Sequence, residues 1–387
     1  MGDLNGDGID DFAVGSERDF EQAILSIQGV RAMESYFMPE QGRDLAAGTK
    51  SVFLTNRYMK TGGSFAFNGF HSENFYTTDV PALQSFWCKT APWIGGESGL
   101  IHMGNGFAEL PPALQEKLVQ KPIASRSWTL AEVAREYHLP GEQVEAFFRE
   151  LGLIETLPDG QKGVVLHKPT VWRHPHHGKR AFQVNLGGEA TTVAGLLNRL
   201  LQRHYEGPKW ALHRYAWKHA FMNQVFTTLE RLPAALEYPE VVGKQEWDTV
   251  KGLAKGVGAR LGIKVKSSGP RRAPPGSAMM GGGYQPPGGQ RKLSELLTAE
   301  ECVTLAKVAR KHCSVFTWKQ GDVLLFDNLQ VMHSGMPGLG PREIRVMMCN
   351  PIPMQYPFRT GEIEVRFDEA YRSVDERLRA LEGPRAA

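Results

Sequence analysis

The sequence predicts a mixed α/β protein whose core is mainly β-strand, and three kinds of pattern support this. Residues 83–89 alternate in side-chain character as a half-buried strand does. Short apolar runs at 323–326 and 344–349 are bounded by Gly, Pro, Asp and Asn, which is typical of strands that end in turns. Apolar positions recur with helical spacing over 19–38, and a further helix is predicted over 293–313.

Composition and charge exclude several classes of protein. The 387 residues are 41% hydrophobic and 22% charged, which is ordinary globular composition with enough length for a large core. The 45 basic and 42 acidic residues give a net charge of +3, which gives no reason to expect nucleic-acid or membrane-surface partners. No apolar run reaches the roughly 18 residues of a membrane span, the start of the chain lacks signal-peptide order, and the four cysteines are scattered. We therefore expect a cytoplasmic protein.

Two short stretches that are far apart in the chain, 68–73 and 321–333, contain candidate metal ligands. His71 and Glu73 are separated by one residue, so on a strand both side chains point to the same face. With His333 they make two imidazoles and one carboxylate, a facial donor set that suits Fe(II) and leaves coordination positions open. An H-x-E pair alone is common by chance, so a core histidine or a surface glutamate is the alternative at each position.

The first residues of the chain contain regularly spaced oxygen donors. The donors are Asp3, Asn5, Asp7 and Asp11, and Gly8 can take a tight turn between them. This spacing suits a Ca²⁺ loop, and the stretch resembles the calcium loop of FG-GAP repeats. Because those repeats come in series and only one copy is present here, a solvated acidic turn is the alternative.

We expect a single domain over 1–387 with two additions to its core. The first is a helical insert at about 127–152, which resembles a helix-turn-helix but has no Arg and Lys stripe to mark a recognition face. The second is a Gly/Pro-rich loop at about 266–292, which cannot bury a core and is predicted to be disordered. The His-rich stretch at 174–180 is predicted to be an exposed turn, because no carboxylate or cysteine joins it in the sequence.

Several motifs occur in a fixed order over roughly residues 50–350 and carry a family resemblance. They are Gly69-Phe70-His71-Ser72-Glu73, Pro81-Ala82-Leu83-Gln84-Ser85-Phe86-Trp87-Cys88, Gly95-Gly96-Glu97-Ser98, Arg173-His174-Pro175-His176-His177-Gly178-Lys179, Trp318-Lys319-Gln320-Gly321-Asp322-Val323-Leu324-Leu325-Phe326-Asp327-Asn328, His333-Ser334-Gly335-Met336-Pro337 and Gly340-Pro341-Arg342. In this order they resemble the TauD/TfdA superfamily of Fe(II)- and 2-oxoglutarate-dependent dioxygenases, in particular its SyrP-like and clavaminate-synthase-like members. The resemblance implies a double-stranded β-helix, a jelly-roll, cupin-like fold of two facing antiparallel sheets with helices outside. It also implies that His71, Glu73 and His333 hold Fe(II).

The resemblance further implies which residues bind the cosubstrate 2-oxoglutarate. In the family, an arginine that follows the second metal-binding histidine binds the carboxylate of 2-oxoglutarate that is remote from the keto group. Arg342 occupies this place after His333, and its planar guanidinium suits a carboxylate. Arg345 is the reserve candidate and is expected on the opposite face of the same strand. Ser98 stands where the family usually has a threonine whose hydroxyl contacts 2-oxoglutarate. Glu343 departs from the family, which often has a second arginine there.

Asp327, in the turn before the His333 strand, is expected to have a structural role.

The implied activity is that of a hydroxylase that uses O₂ and 2-oxoglutarate, releases succinate and CO₂, and oxidises an unactivated C–H bond. Related halogenases have a small residue in place of the ligand carboxylate, so Glu73 favours hydroxylation, desaturation or ring closure over halogenation. The expected substrate is a small molecule such as an amino acid or an amino-acid-derived metabolite. Two alternatives are a non-catalytic binding or scaffold protein on an oxygenase fold, and an oxygenase that acts on a macromolecule. Basic residues near 251–292 are the support for the last of these.

Overall fold

The structure, a computed structural model, describes two long parts of the chain and several short ones. The described residues are 16–33, 51–53, 58–62, 70–73, 79–120, 124–157, 159–182, 296–352, 362–365, 368 and 370–382, with positions 196, 197, 200, 208 and 211. The calcium-loop-like extension at 1–15 and the Gly/Pro-rich loop at 266–292 both lie outside these residues, so those predictions stay predictions.

The elements of the described part are numbered here in chain order. The helices are α1 (Glu17–Leu25), α2 (Met103–Ala108), α3 (Pro112–Gln120), α4 (Leu130–Tyr137), α5 (Gly141–Glu150), α6 (Ala299–Lys311) and α7 (Val374–Glu382). The strands are β1 (Ser51–Phe53), β2 (Tyr58–Gly62), β3 (Val80–Thr90), β4 (Ile94–Gly95), β5 (Ser98–His102), β6 (Ala124–Thr129), β7 (Ile154–Thr156), β8 (Lys162–Lys168), β9 (Val171–Arg173), β10 (Arg180–Phe182), β11 (Cys313–Phe316), β12 (Val323–Asp327), β13 (Val331–Gly335), β14 (Gly338–Leu339), β15 (Glu343–Ile352) and β16 (Glu362–Glu364).

Helix α1 is shorter than the helical pattern predicts. It begins after the N-cap Ser16, whose side chain accepts a hydrogen bond from the backbone N–H of Asp19. It ends at Leu25 rather than near residue 38, and the chain turns at Gly29, whose φ of 79° suits glycine. Helix α6 lies within the predicted range 293–313 but is shorter, since it begins at Ala299 after a capping box between Thr298 and Glu301 and Cys313 already belongs to β11.

Two antiparallel sheets face each other and form the centre of the fold. The larger has the strand order β1-β2-β15-β3-β12, and the smaller has the order β11-β5-β13. Phe86 of β3 and Phe326 of β12 extend from the larger sheet to the ring of His333 on β13, with ring centroids 5.3 and 5.4 Å from it. The architecture is therefore mixed α/β with mostly antiparallel sheets, as predicted, although the described strands do not close into a barrel.

The two faces of the larger sheet have different neighbours. On the inner face, Phe86, Cys88, Ile344, Val346 and Met348 form one core cluster with Trp318 and Phe326. On the outer face, Trp87, Met347 and Cys349 pack with Phe20 and Ile24 of α1. Because side chains alternate along a strand, a residue's register in β3 or β15 fixes the face on which it lies.

The smaller sheet is covered on its other side by α6. Ile101 of β5 and Met332 of β13 are paired in register and lie in one core cluster with Cys302 and Leu305 of that helix. The residue after Met332 is His333, which is paired with Leu100. Alternation therefore turns His333 toward the larger sheet and away from α6.

The helices of the insert share one core cluster with a three-stranded sheet and with α7. Helices α4 and α5 pack beside the sheet β6-β8-β7, and a capping box between Thr129 and Glu132 starts α4. The exposed side of α5 has Glu142 and Glu150 beside Arg149, so its charge opposes binding to a polyanion. Within the described residues, α4 and α5 are packed against their neighbours, and the exposed side of α5 is not basic.

Candidate active site

His71 and His333 are held side by side by their own backbones. The N–H of His71 donates to the carbonyl of His333 over 3.0 Å, and the N–H of His333 donates to the carbonyl of His71 over 2.8 Å. This exchange makes them a directly opposed antiparallel pair, and their ring centroids are 4.4 Å apart. The sequence predicts a strand at His71, whereas the structure has a single bridge there, followed by a turn at Glu73. Contact with β13 therefore orients His71.

Glu73 completes a group of three possible metal donors. Its Oε2 atom lies 3.5 Å from Nε2 of His333, and the ligand atoms of His71, Glu73 and His333 all lie within 4.8 Å of one another. The side chains of Glu73 and His333 are 12% and 7% exposed, so the cluster is enclosed but reachable. Two imidazole nitrogens and one carboxylate oxygen this close together are the donor chemistry of a non-haem Fe(II) site. The residues present therefore fit Fe(II).

Arg342 lies on the metal side of the larger sheet. Its side chain is 7% exposed, and a Cβ added to Gly96 would lie 3.2 Å from Cδ of Arg342. Burial lowers the pKa of this guanidinium to about 10, while the nearby Cys88 and Glu97 oppose that change. Arg342 thus stays cationic at neutral pH, inside the protein, where a carboxylate partner would be attracted strongly.

Arg345 lies on the opposite side of that sheet. It is paired in register with Trp87, whose ring stacks on Phe20 of α1 at 6.0 Å, so both residues face the helix and not the metal donors. Its guanidinium forms an ion pair with Glu343, the residue that departs from the family pattern. This placement favours Arg342 over Arg345 as the candidate for binding the far carboxylate of 2-oxoglutarate.

Ser98 shares the inner face of the smaller sheet with His333. It is paired with Gly335, and Leu100, two residues further along β5, is paired with His333. Its hydroxyl oxygen is buried and accepts a hydrogen bond from Nε1 of Trp318 over 3.0 Å. Because the Trp318 indole can only donate, the hydroxyl proton of Ser98 remains available to an acceptor such as a carboxylate.

Cys88 is the buried thiol on the inner face. Burial raises its pKa to about 11, with Arg342 acting in the opposite direction and Asp322 in the same direction. The thiol is therefore neutral at neutral pH and adds no negative charge that would compete for the guanidinium of Arg342.

Asp327 and His174 form a contact that the sequence analysis misses. The Nε2 atom of His174 lies 2.8 Å from Oδ2 of Asp327, and His174 is only 6% exposed. Burial lowers the pKa of His174, while Asp327 raises it and His177 lowers it further. His174 is thus buried against the Asp327 turn, and a carboxylate 153 residues away in the chain joins it. The rest of the stretch matches the prediction, since residues 175–177 form a turn and 176–179 are exposed. Asp327 itself has the structural role that was predicted, since it also accepts hydrogen bonds from Leu329 and Gln330.

Comparison with known families identifies the class of the protein. The family described as taurine catabolism dioxygenase TauD, TfdA family matches residues 9–219, just over half of the chain. This stretch contains His71, Glu73 and Ser98. The class is therefore an oxygenase of the iron- and 2-oxoglutarate-dependent type. The chain belongs to the TauD/TfdA family.

Two bacterial proteins are among the solved structures that match this chain. A taurine dioxygenase from Burkholderia xenovorans is 11% identical with a TM-score of 0.39, and the match covers 94% of this chain and 81% of that one. The PvcB protein from Pseudomonas aeruginosa is also 11% identical, with a TM-score of 0.38 and coverage of 87% and 72%. Among curated proteins no match is found. Within the described residues, no helix is both long and apolar enough to cross a membrane.

Proposed function

We propose that the protein is an Fe(II)- and 2-oxoglutarate-dependent hydroxylase that acts on a small molecule. The observation that carries the proposal is the convergence of His71, Glu73 and His333, whose ligand atoms come within 4.8 Å although the third residue is remote in the chain. Membership of the TauD/TfdA family supports the same chemistry at the level of the class.

In this proposal, His71, Glu73 and His333 would hold Fe(II) with two imidazole nitrogens and one carboxylate oxygen. Bound iron supplies the activation of O₂, which the side chains cannot do themselves. Arg342 binds the far carboxylate of 2-oxoglutarate with its buried guanidinium, and Ser98 donates its hydroxyl proton to the same cosubstrate. Burial of Arg342 strengthens this pairing, because little water competes for the carboxylate.

The overall reaction balances as substrate C–H plus 2-oxoglutarate plus O₂ giving substrate C–OH plus succinate plus CO₂. The decarboxylation of 2-oxoglutarate provides two electrons, and the C–H bond provides the other two needed to reduce O₂. Glu73 occupies the position that related halogenases leave open for chloride, so its presence favours hydroxylation over halogenation.

The proposed substrate class is amino acids and amino-acid-derived metabolites. Its support is the resemblance of the motifs around His71, Ser98 and Arg342 to SyrP-like and clavaminate-synthase-like members of the family. The description of the family that matches this chain mentions taurine, a small zwitterion, and taurine therefore belongs in the test set.

The test is product analysis with a panel of candidate substrates. The purified protein is incubated with Fe(II), 2-oxoglutarate, ascorbate and O₂ together with the common amino acids, taurine and simple peptides. We expect one class to gain one oxygen atom by mass spectrometry, with one succinate formed per product. The hydroxylase assignment would be contradicted by a product that loses two hydrogens or gains a halogen, and the enzyme assignment by absence of succinate under every condition.

A further inference from the structure

Asn328 holds the backbone of Glu73 from two sides. Its Oδ1 accepts a hydrogen bond from the N–H of Glu73 over 2.8 Å, and its Nδ2 donates to the carbonyl of Glu73 over 3.2 Å. The same Nδ2 donates to the carbonyl of Pro81 over 2.9 Å, at the start of β3. With 1% exposure, the side chain is buried, and each hydrogen of its amide group has an acceptor.

The position of the Glu73 backbone depends on hydrogen bonds from outside its own segment. His71 is fixed by its mutual bonds with His333, but within the described residues 70–73 this pairing is an isolated bridge, and Glu73 lies beyond it in a turn. A carboxylate in a turn has more backbone freedom than one on a strand, so its distance from His333 depends on what holds the turn. The two bonds from Asn328 fix the peptide groups on both sides of the Glu73 Cα atom.

The turn that carries Asn328 is itself anchored. Oδ1 of Asp327 accepts from the N–H of Leu329 over 2.7 Å, and Oδ2 accepts from Nε2 of Gln330 over 2.7 Å and lies 2.8 Å from Nε2 of His174. The N–H of Asn328 also donates to the carbonyl of Ala82 over 2.8 Å. This turn leads directly into β13, so the position of Asn328 is tied to that of His333.

We propose that Asn328 is a positioning residue for the metal centre. It sets the Glu73 carboxylate at its distance from His333 by holding the Glu73 backbone, and it does so without touching the metal. The inference rests on the proposed function, since it takes His71, Glu73 and His333 as the metal ligands. Groups that orient metal ligands in this way commonly change metal affinity by about 10- to 100-fold when they are removed.

A matched control residue exists elsewhere in the fold. Asn350 also clamps a backbone segment from two sides: its Oδ1 accepts from the N–H of Arg31 over 2.7 Å, and its Nδ2 donates to the carbonyl of Gly29 over 2.9 Å. Its φ of 54° is a conformation that strains alanine, so Asn350→Ala removes a similar clamp and adds backbone strain. The side-chain hydrogen bonds of Asn350 go to Gly29 and Arg31, in the segment that pairs with the end of β15, rather than to the backbone of a metal donor.

The experiment measures Co(II) binding to the full chain without 2-oxoglutarate, using the visible absorption of the bound ion, together with thermal unfolding of the metal-free proteins. We expect Asn328→Ala to weaken Co(II) affinity at least about 10-fold and to change the shape of the absorption band. Asn350→Ala is expected to unfold at a lower temperature while it keeps the wild-type affinity and spectrum. Equal affinity in Asn328→Ala and wild type would overturn the proposal, as would equal losses in both variants.

A second variant keeps the test decisive if Asn328→Ala does not fold. Asn328→Asp preserves the shape of the side chain and an acceptor for Glu73, but it cannot donate to the carbonyls of Glu73 and Pro81 at neutral pH. Its added negative charge by itself favours a cation, so weaker Co(II) binding supports positioning, and equal or tighter binding overturns it. Failure of the wild-type protein to bind Co(II) would instead refute the proposed metal site, which separates the two hypotheses.

Discussion

Arg342 and Arg345 point to opposite sides of the five-stranded sheet, although only two residues separate them. Arg342 lies beside Gly96 and Cys88 on the side of the metal donors, whereas Arg345 is paired with Trp87 on the side covered by α1. The sequence leaves the choice between them open, and this difference in face makes it testable.

Replacing the two arginines one at a time is expected to separate their roles. Arg342→Ala removes a buried cation that would form charge-assisted hydrogen bonds worth about 1.5–3 kcal/mol, so the dissociation constant for 2-oxoglutarate rises by about 10- to 100-fold. Arg345→Ala is the control, because it deletes the same group from the other face. The measurement is titration of the anaerobic Mn(II)-loaded protein with 2-oxoglutarate. A larger loss in Arg345→Ala than in Arg342→Ala would reverse the assignment.

Removing either histidine of the donor cluster is expected to abolish turnover. Each substitution, His71→Ala or His333→Ala, leaves two of the three donors. Two donors bind Fe(II) too weakly to retain it during gel filtration, so we expect the metal content and the activity to fall together. His167→Ala is the control, since His167 of β8 contacts Glu155 of β7, away from the cluster. Metal analysis and succinate formation are measured on the same samples. Retention of metal and activity in His333→Ala would rule out this residue as a ligand.

Ser98→Ala is expected to affect both stability and cosubstrate binding. It removes the acceptor of the Trp318 indole N–H, and leaving a buried donor unpaired costs about 1–3 kcal/mol of unfolding free energy. It also removes the hydroxyl that is proposed to contact 2-oxoglutarate. Ser98→Thr keeps the hydroxyl and should retain both properties. Urea unfolding measures the stability of the variants, and titration with 2-oxoglutarate measures their affinity for the cosubstrate. Unchanged 2-oxoglutarate affinity in Ser98→Ala would show that Ser98 has only the structural role of accepting the hydrogen bond from Trp318.

Gln84→Met is expected to stabilise the metal-free protein. Within the part of the chain that the structure describes, Oε1 and Nε2 of Gln84 are buried without a hydrogen-bond partner, and the residue is fully buried in β3. Methionine has a similar length and no strongly polar atoms, so the unfolding free energy should rise by about 1–3 kcal/mol. Urea unfolding measures the change. A lower unfolding midpoint would show that the amide contributes a hydrogen bond in solution.

The sequence predicts the members of the donor cluster because their chemistry and motif order are visible in the chain. His71, Glu73 and His333 do come together, and the mainly antiparallel core is also as expected. The sequence does not predict the clamp between Asn328 and Glu73 or the contact between His174 and Asp327. Both join residues more than 150 positions apart, so they depend on how sheets and turns pack and not on any local pattern.

Oxygen-dependent decarboxylation of 2-oxoglutarate tests the central claim most directly. The cosubstrate is labelled in the carboxyl group next to its keto carbon, and labelled CO₂ is collected from the wild-type protein and from His333→Ala in the presence of the substrate panel. We expect the wild-type protein to release CO₂ only when both Fe(II) and O₂ are present, to stop when a chelator is added, and His333→Ala to release none. Release that is equal in the two proteins, or no release by the wild-type protein with any substrate, would contradict an iron centre at His71, Glu73 and His333.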